Sequence, residues 1–218
     1  MWLNASLAML IVLSPTISFA HAVVVDLEKM SKTDTAMLYL KLGYQHILPL
    51  GMDHILFVMS LFLLSPRLKP VMIQSMAFTL AHSVTLGLAV YNVITPNASI
   101  VEPLIALSIM YVALENIFSP RLKPSRIAVV FCFGLVHGLG FAGALSGLGL
   151  PKNSFLTSLI MFNAGVELGQ LTVILTAWFL LAKWFGNKLY YREYVVIPLS
   201  LVIAIVAAYW VLQRLSLF

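Results

Sequence analysis

Long blocks of apolar residues, separated by short polar gaps, fill the chain from about residue 42 onward. Several blocks exceed the roughly 18 residues that mark a helix able to cross a bilayer. The gaps hold Pro, Ser, Asn and charged residues, which are typical of loops. The pattern predicts an all-α membrane protein, a bundle of about six transmembrane helices at 42–64, 71–92, 102–118, 127–149, 155–182 and 195–213.

The first predicted span contains a helix breaker and three polar side chains in the stretch "HILPLGMDH". Pro49 lacks a backbone donor and clashes with the preceding turn, so the span should be kinked or broken near Pro49 and Gly51. Irregular backbone at membrane depth occurs where it lines a cavity, often at an ion site. Counted along a regular helix, His46 and Asp53 share one face, and His54 lies one step around it.

The first 22 residues, "MWLNASLAMLIVLSPTISFAHA", have the pattern of a secretory signal peptide. Their apolar stretch is too short to span a bilayer, and Ser18-Phe19-Ala20 is a small-x-small cleavage site. No Lys or Arg precedes the apolar stretch, so an uncleaved anchor is the alternative, and cleavage after Ala22 is open as well. The predicted organisation is a signal peptide (1–20), a short periplasmic segment (21–41) and a transmembrane domain (42–213).

Composition supports the membrane interpretation and excludes other classes of protein. Only 10% of residues are charged and 61% are hydrophobic, whereas a soluble domain has about 25% charged residues. The net charge of +5 does not indicate a nucleic-acid partner, because the basic residues are scattered through the polar gaps. The single cysteine, Cys132, excludes an internal disulfide and any CxxC metal motif.

The distribution of basic residues predicts the orientation in a bacterial inner membrane. The gaps after the first, third and fifth spans hold eight Lys and Arg, and the other side holds five. The richer side should be cytoplasmic, which puts the mature N-terminus in the periplasm. The hexapeptide "SPRLKP" occurs at 65–70 and 119–124, after the first and third spans, so both copies should lie on the same side.

Polar residues inside the spans are the candidate site. A charged side chain at bilayer depth costs roughly 2.5–3.5 kcal/mol, and none of the six spans contains a Lys or Arg to offset it. The acids must then be protonated, line water or neutralise a bound cation. Four imidazoles in the same spans favour the third alternative, a bound cation, because histidine is a common metal ligand. Each histidine could instead form a hydrogen bond that holds two helices together. The candidate metal ligands are His46, Asp53, His54, His82, Glu115, His137 and Glu167.

Further polar and small residues surround these candidates. Thr79 precedes His82 by one turn and is a predicted supporting partner. In the fifth span a polar stripe is formed by Asn163, Glu167 and Gln170. Gly134 and Gly138 have the small-xxx-small spacing that lets helices approach closely, which would bring His137 near another helix.

Five segments of the chain resemble the HupE/UreJ family of bacterial membrane proteins, in the same order over about residues 40–213. They are "HILPLGMDH", "FTLAHSVTL", "ENI", "HGLGFA" and "FNAGVELGQ". Members of this family are described as nickel or cobalt permeases associated with hydrogenase and urease maturation. The resemblance implies a metal path through the seven candidate ligands. Because Pro49 follows His46 by three residues instead of directly, the chain resembles the second, less characterised branch.

The leading hypothesis is facilitated movement of a divalent metal from periplasm to cytoplasm, with nickel first, cobalt next and zinc compatible with the ligands. His46 would receive the ion, and Glu115 would pass it onward from a central site of Asp53, His54, His82, His137 and Glu167.

The first alternative is an intramembrane metalloenzyme with Glu167 or Glu115 as acid/base. The second is a metal sensor or assembly factor. The expected partners are the lipid bilayer and the metal as substrate, without nucleic acid, and a homo-oligomer is left open.

Overall fold

The computed structural model describes residues 30–148 and 154–216, with the backbone alone for 142–148. All regular elements in this part are helices. They are α1 (Lys32–Ile47), α2 (Met52–Leu64), α3 (Leu68–Val90), α4 (Ala98–Phe118), α5 (Arg126–Leu148), α6 (Phe155–Ala177) and α7 (Ile197–Arg214). A π-helical turn and a short helix extend α6 to Phe185, and a π-helical turn that starts at Arg192 precedes α7. The predicted signal peptide lies outside the described residues.

The described helices confirm an all-α membrane protein. By length and composition, four can cross a bilayer: α3, α4, extended α6 and extended α7. The pair α1 and α2 adds a fifth if it counts as one span bent by 68°. Helix α5 has an apolar stretch, Arg126–Phe141, and continues to Leu148. The structure therefore supports four or five spans by these criteria, against the six predicted.

The predicted break near Pro49 and Gly51 is confirmed. Helix α1 ends at Ile47 and α2 begins at Met52. A Cβ added to Gly51 would collide with the carbonyl oxygen of His46, so the chain turns too tightly there for a side chain. Helix α1 starts ten residues before the predicted span, because the hydroxyl of Ser31 accepts the Asp34 N–H at 3.1 Å and caps the helix there.

Helices pack in three close pairs around a central one. Helix α1 packs on α6, α3 on α5 and α4 on α7, while α2 contacts α3, α4, α6 and α7. Added Cβ atoms at Gly134 and Gly138 would collide with the carbonyl oxygens of Phe78 and His82. The predicted close packing at these glycines is therefore confirmed, and it places His137 beside α3.

The two ends of the bundle are identified by the residues that lie there. At one end, which we call the repeat end, both copies of "SPRLKP" border one cavity together with the end of extended α6. The prediction that both copies lie on the same side is confirmed. At the opposite end, Arg214 at the end of α7 donates to the carbonyl oxygen of Glu102 near the start of α4.

The contact between α1 and α6 predicts a difference between two glycine-to-alanine substitutions. A Cβ at Gly43 would collide with the backbone carbonyl oxygen of Phe162, whereas a Cβ at Gly87 meets only the side-chain Cδ2 of Leu159, at 3.3 Å. We expect Gly43→Ala to lower the thermal stability of the detergent-solubilised protein. Gly87→Ala should leave it unchanged or raise it, since alanine favours a helix interior by about 0.5–1 kcal/mol. Equal melting curves for the two variants would contradict this packing.

Candidate metal centre

Four imidazoles from four helices converge inside the bundle. His46 lies in the last turn of α1 and His54 in the first turn of α2. The break between these helices brings the two imidazole ring centroids to 4.6 Å from each other. His82 of α3 lies 6.0 Å from His46 and 5.8 Å from His54. His137 of α5 lies 5.1 Å from His54. Residues that are far apart in the sequence therefore form one cluster.

Three of these histidines have the geometry of a metal site. One ring nitrogen each of His46, His54 and His82 lies within 4.8 Å of the other two. Metal–imidazole bonds of about 2.0–2.1 Å place tetrahedral ligand nitrogens about 3.4 Å apart, so modest ring movements would complete the coordination. We call this group the histidine trio.

Five nitrogens of these imidazoles have no hydrogen-bond partner among the described residues. His54 is 5% exposed, His82 0% and His137 1%. Within the described residues no hydrogen bond reaches these ring nitrogens: Nε2 of His46, Nε2 of His54, both nitrogens of His82 and Nδ1 of His137. An unsatisfied buried polar group costs about 1–3 kcal/mol, and an ion is one of the common reasons for it. Imidazole nitrogen suits nickel, copper, iron and zinc, so the donor set fits a transition metal.

Ser108 of α4 holds His137 in one tautomer, a role that a single serine within an apolar block does not reveal. Its hydroxyl donates to the carbonyl oxygen of Ile105 at 2.7 Å and lies 2.8 Å from Nε2 of His137. Because the hydroxyl has only one hydrogen, Nε2 must donate to it. The proton then sits on Nε2, and the lone pair of Nδ1 is free to bind a cation.

Phenylalanine rings enclose the cluster. Phe141 lies 3.9 Å from His46 by ring centroids, and Phe78 and Phe57 lie 4.9 Å and 5.1 Å from His137. Apolar walls exclude water from the imidazole nitrogens. A cation that reached them would therefore exchange its water ligands for nitrogen.

The predicted polar stripe of α6 faces polar residues of α3. Thr79 donates to the Glu167 carboxylate at 2.7 Å, and Ser75 donates to Oε1 of Gln170. One turn further on, Asn163 lies near His82, but the pair does not form a well-aligned hydrogen bond. We call these contacts the polar seam. Thr79 forms no hydrogen bond to His82 among the described residues, and its hydroxyl donates instead to Glu167, another predicted ligand.

The expectation that the intramembrane acids lack a basic partner is wrong for Asp53 and Glu115. Nη2 of Arg214 lies 2.8 Å and 3.0 Å from the two carboxylate oxygens of Asp53. Nη1 of Arg126 lies 3.0 Å from a carboxylate oxygen of Glu115. Arg214 and Arg126 lie one residue outside the predicted spans, and their long side chains reach back along the bundle.

The ion pairs separate two predicted ligands from the histidines. Asp53 pairs with Arg214, and the break at residues 48–51 interrupts the helical repeat on which its shared face with His46 was predicted. Glu115 belongs to a buried network in which Arg126 also donates to Gln74 at 3.1 Å. Of the seven predicted ligands, the structure brings three together in the trio, places His137 beside them and leaves Glu167 in the polar seam.

Comparison with known proteins identifies one family. A family model described as HupE / UreJ protein matches residues 21–214, most of the chain. Searches of curated proteins and of solved structures find no match. The matched range includes all four imidazoles and both ion pairs.

The two ion pairs should differ in their contribution to stability. The side chains of Arg126 and Glu115 are 0% and 15% exposed, and those of Arg214 and Asp53 are 20% and 29% exposed. Arg126→Met leaves a carboxylate unpaired in the buried network and should cost about 3–5 kcal/mol. Arg214→Met, at the more exposed pair, should cost about 1 kcal/mol or less.

Denaturation of the detergent-solubilised variants measures both costs. Arg126→Met with Glu115→Gln should recover part of the lost stability, because no unpaired charge remains. A double variant as unstable as Arg126→Met alone would show that the loss does not come from the carboxylate.

Proposed function

The chain belongs to the HupE/UreJ family, and on that premise we propose that it transports a divalent transition metal across the bacterial inner membrane. Membership of the family implies a function related to nickel or cobalt transport. Nickel is the proposed substrate, and cobalt is the alternative. In the proposed orientation the repeat end is cytoplasmic, a signal peptide precedes residue 21, and the mature N-terminus is periplasmic.

The histidine trio is the observation that supports this proposal. Three neutral nitrogen ligands lie within 4.8 Å of one another, in an interior that leaves them without hydrogen bonds. Nδ1 of His137 is a candidate fourth ligand. The ligands do not select between nickel, cobalt and zinc at such a site, because selectivity among these metals comes from geometry and metal availability more than from raw affinity. The preference for nickel therefore comes from the family alone.

The ion pair of Asp53 and Arg214 forms the proposed entrance. It is partly exposed, and Asp53 directly precedes His54 in the sequence. The carboxylate attracts a cation from solution and passes it to His54, and Arg214 neutralises the carboxylate between passages. A guanidinium is a suitable temporary partner, because it stays charged at any physiological pH.

The polar seam is the proposed exit. From His82 through Thr79 to Ser75 it follows α3 over seven residues toward the repeat end, about 10 Å along the helix axis. Its carboxylate, amide and hydroxyl oxygens bind late transition metals less tightly than imidazole does. A cation is therefore released as it moves along them. We assign Glu115 a structural role, because Arg126 already neutralises it.

The trio predicts a specific loss of metal binding in purified protein. We expect His82→Ala to weaken nickel binding by about 100-fold or more, and His137→Ala to weaken it less. Cys132→Ser is the control, because this thiol is exposed and outside the cluster. Equilibrium dialysis with elemental analysis gives the stoichiometry. Unchanged binding in His82→Ala would exclude the trio as the site.

Proteoliposome uptake separates transport from binding alone. We expect nickel to enter vesicles that contain the wild-type protein, and Asp53→Asn to lower the initial rate about tenfold or more by removing the attracting charge. In Asp53→Asn with Arg214→Gln, which leaves no unpaired arginine, uptake should stay slow. Recovery in this double variant would contradict the role of the carboxylate. Metal that binds but never crosses would contradict transport and favour the metalloenzyme.

A further inference from the structure

The two copies of "SPRLKP" meet at one cavity, a feature that the proposed transport does not use. The cavity has a volume of about 590 Å³. Each hexapeptide contributes its arginine, Arg67 from the first copy and Arg121 from the second. The end of extended α6 contributes Lys183 and Asn187, and no Asp or Glu is among the lining residues. The cavity therefore combines three cations without a compensating acid.

The two arginines differ from the other arginines of the described chain. The guanidinium groups of Arg126, Arg192 and Arg214 all donate hydrogen bonds to the protein. Within the described residues, Arg67 and Arg121 form no hydrogen bond or ion pair and are exposed. Their donors are available to a ligand.

The start of α3 adds to the positive potential of the cavity. Arg67 is the N-cap residue of this 23-residue helix, and no side chain caps the first backbone N–H groups. A helix N-terminus carries a partial positive charge that attracts anions. The C-terminal end of extended α6 carries a partial negative charge. It reduces the positive potential only weakly, since the carbonyl oxygen of Ala182 already accepts the N–H of Gly186 at 2.9 Å.

We propose that this cavity binds a phosphate group, supplied by the headgroup of an anionic phospholipid. A guanidinium matches phosphate oxygens with two parallel N–H donors, and two such groups face one cavity. Basic pockets between membrane helices bind headgroups in this way. The volume is about 20 times the roughly 30 Å³ that one water molecule occupies, so inorganic phosphate alone would not fill it.

Apolar residues at the cavity fit the rest of a lipid. Leu64, Leu122 and Trp178 line it beside the cations. Trp184 and Phe185, close by in the chain, are 60% and 39% exposed, as aromatic residues at the level of headgroups commonly are. The orientation of a membrane protein requires basic residues on one side, but it does not require them to line one cavity without acids.

The hexapeptides supply a matched pair of variants for the test. Arg67→Gln with Arg121→Gln removes the two arginines of the cavity. Lys69→Gln with Lys123→Gln removes the same charge from the same two hexapeptides, at residues that line a separate cavity. Native mass spectrometry of the full chain, after incubation with cardiolipin, phosphatidylglycerol or phosphatidylcholine, measures how much lipid is retained. Unchanged melting temperatures of both double variants show that they are folded.

We expect the wild-type protein to retain the two anionic lipids and not phosphatidylcholine. The arginine pair should lower the affinity about tenfold or more, and the lysine pair less than twofold. Equal losses in both pairs would indicate diffuse surface charge and overturn the proposal, as would no loss in the arginine pair. A second arm adds inorganic phosphate in lipid-free detergent, observed by ³¹P NMR. Binding there that depends on the arginine pair, with no lipid retained, would overturn the lipid as the source and identify free phosphate.

Discussion

A polar atom buried among apolar helices needs a partner inside the protein, because no water replaces one. The guanidinium groups of Arg126 and Arg214 meet this need by pairing with Glu115 and Asp53. The other six unsatisfied buried atoms of the described residues belong to six different residues, whereas five imidazole nitrogens without partners gather in one cluster. The same constraint that explains the ion pairs therefore singles out the histidines as the group that needs something from outside the chain.

Separating the acids from the imidazoles has an electrostatic consequence. The trio is a neutral ligand set, and the nearest carboxylate of the seam, Glu167, accepts a hydrogen bond from Thr79. A divalent ion among neutral ligands in a medium of low dielectric keeps most of its charge unbalanced. The three imidazoles alone therefore leave the charge of a bound ion to be balanced by groups outside the trio.

Periodicity and composition predicted much of the fold. The apolar blocks located α3 to α7 to within a few residues, Pro49 and Gly51 marked the break, and the spacing of Asn163, Glu167 and Gln170 gave the face of α6 that meets α3. These features depend on local rules. The prediction that His46 and Asp53 share a face lost its basis, because it assumed a continuous helix across the break that the same sequence indicates.

The ion pairs were not predicted because arginine side chains are long. Arg126 and Arg214 were assigned to orientation alone, since each lies just outside an apolar block, and a count of residues inside the blocks does not show where a guanidinium group ends. Ser108 could not be predicted as the partner of His137, because a single serine in an apolar block forms no pattern with its neighbours in the sequence. The start of α1 was missed since its polar residues resemble a loop until Ser31 is seen to cap them.

The shortness of α2 affects the voltage that a permeating ion experiences. With 13 residues it is about 20 Å long, against about 30 Å for the hydrocarbon core, and its far end reaches the repeat end. Asp53 lies in its first turn and is partly exposed, so in the proposed orientation a helix perpendicular to the bilayer would place it about 10 Å below the periplasmic surface. In the transport that we propose, an ion at Asp53 would then have most of the membrane potential still to cross. Because a divalent cation gains about 4.6 kcal/mol for each 100 mV it crosses, the potential of an inside-negative membrane would be a sufficient driving force for the proposed inward transport.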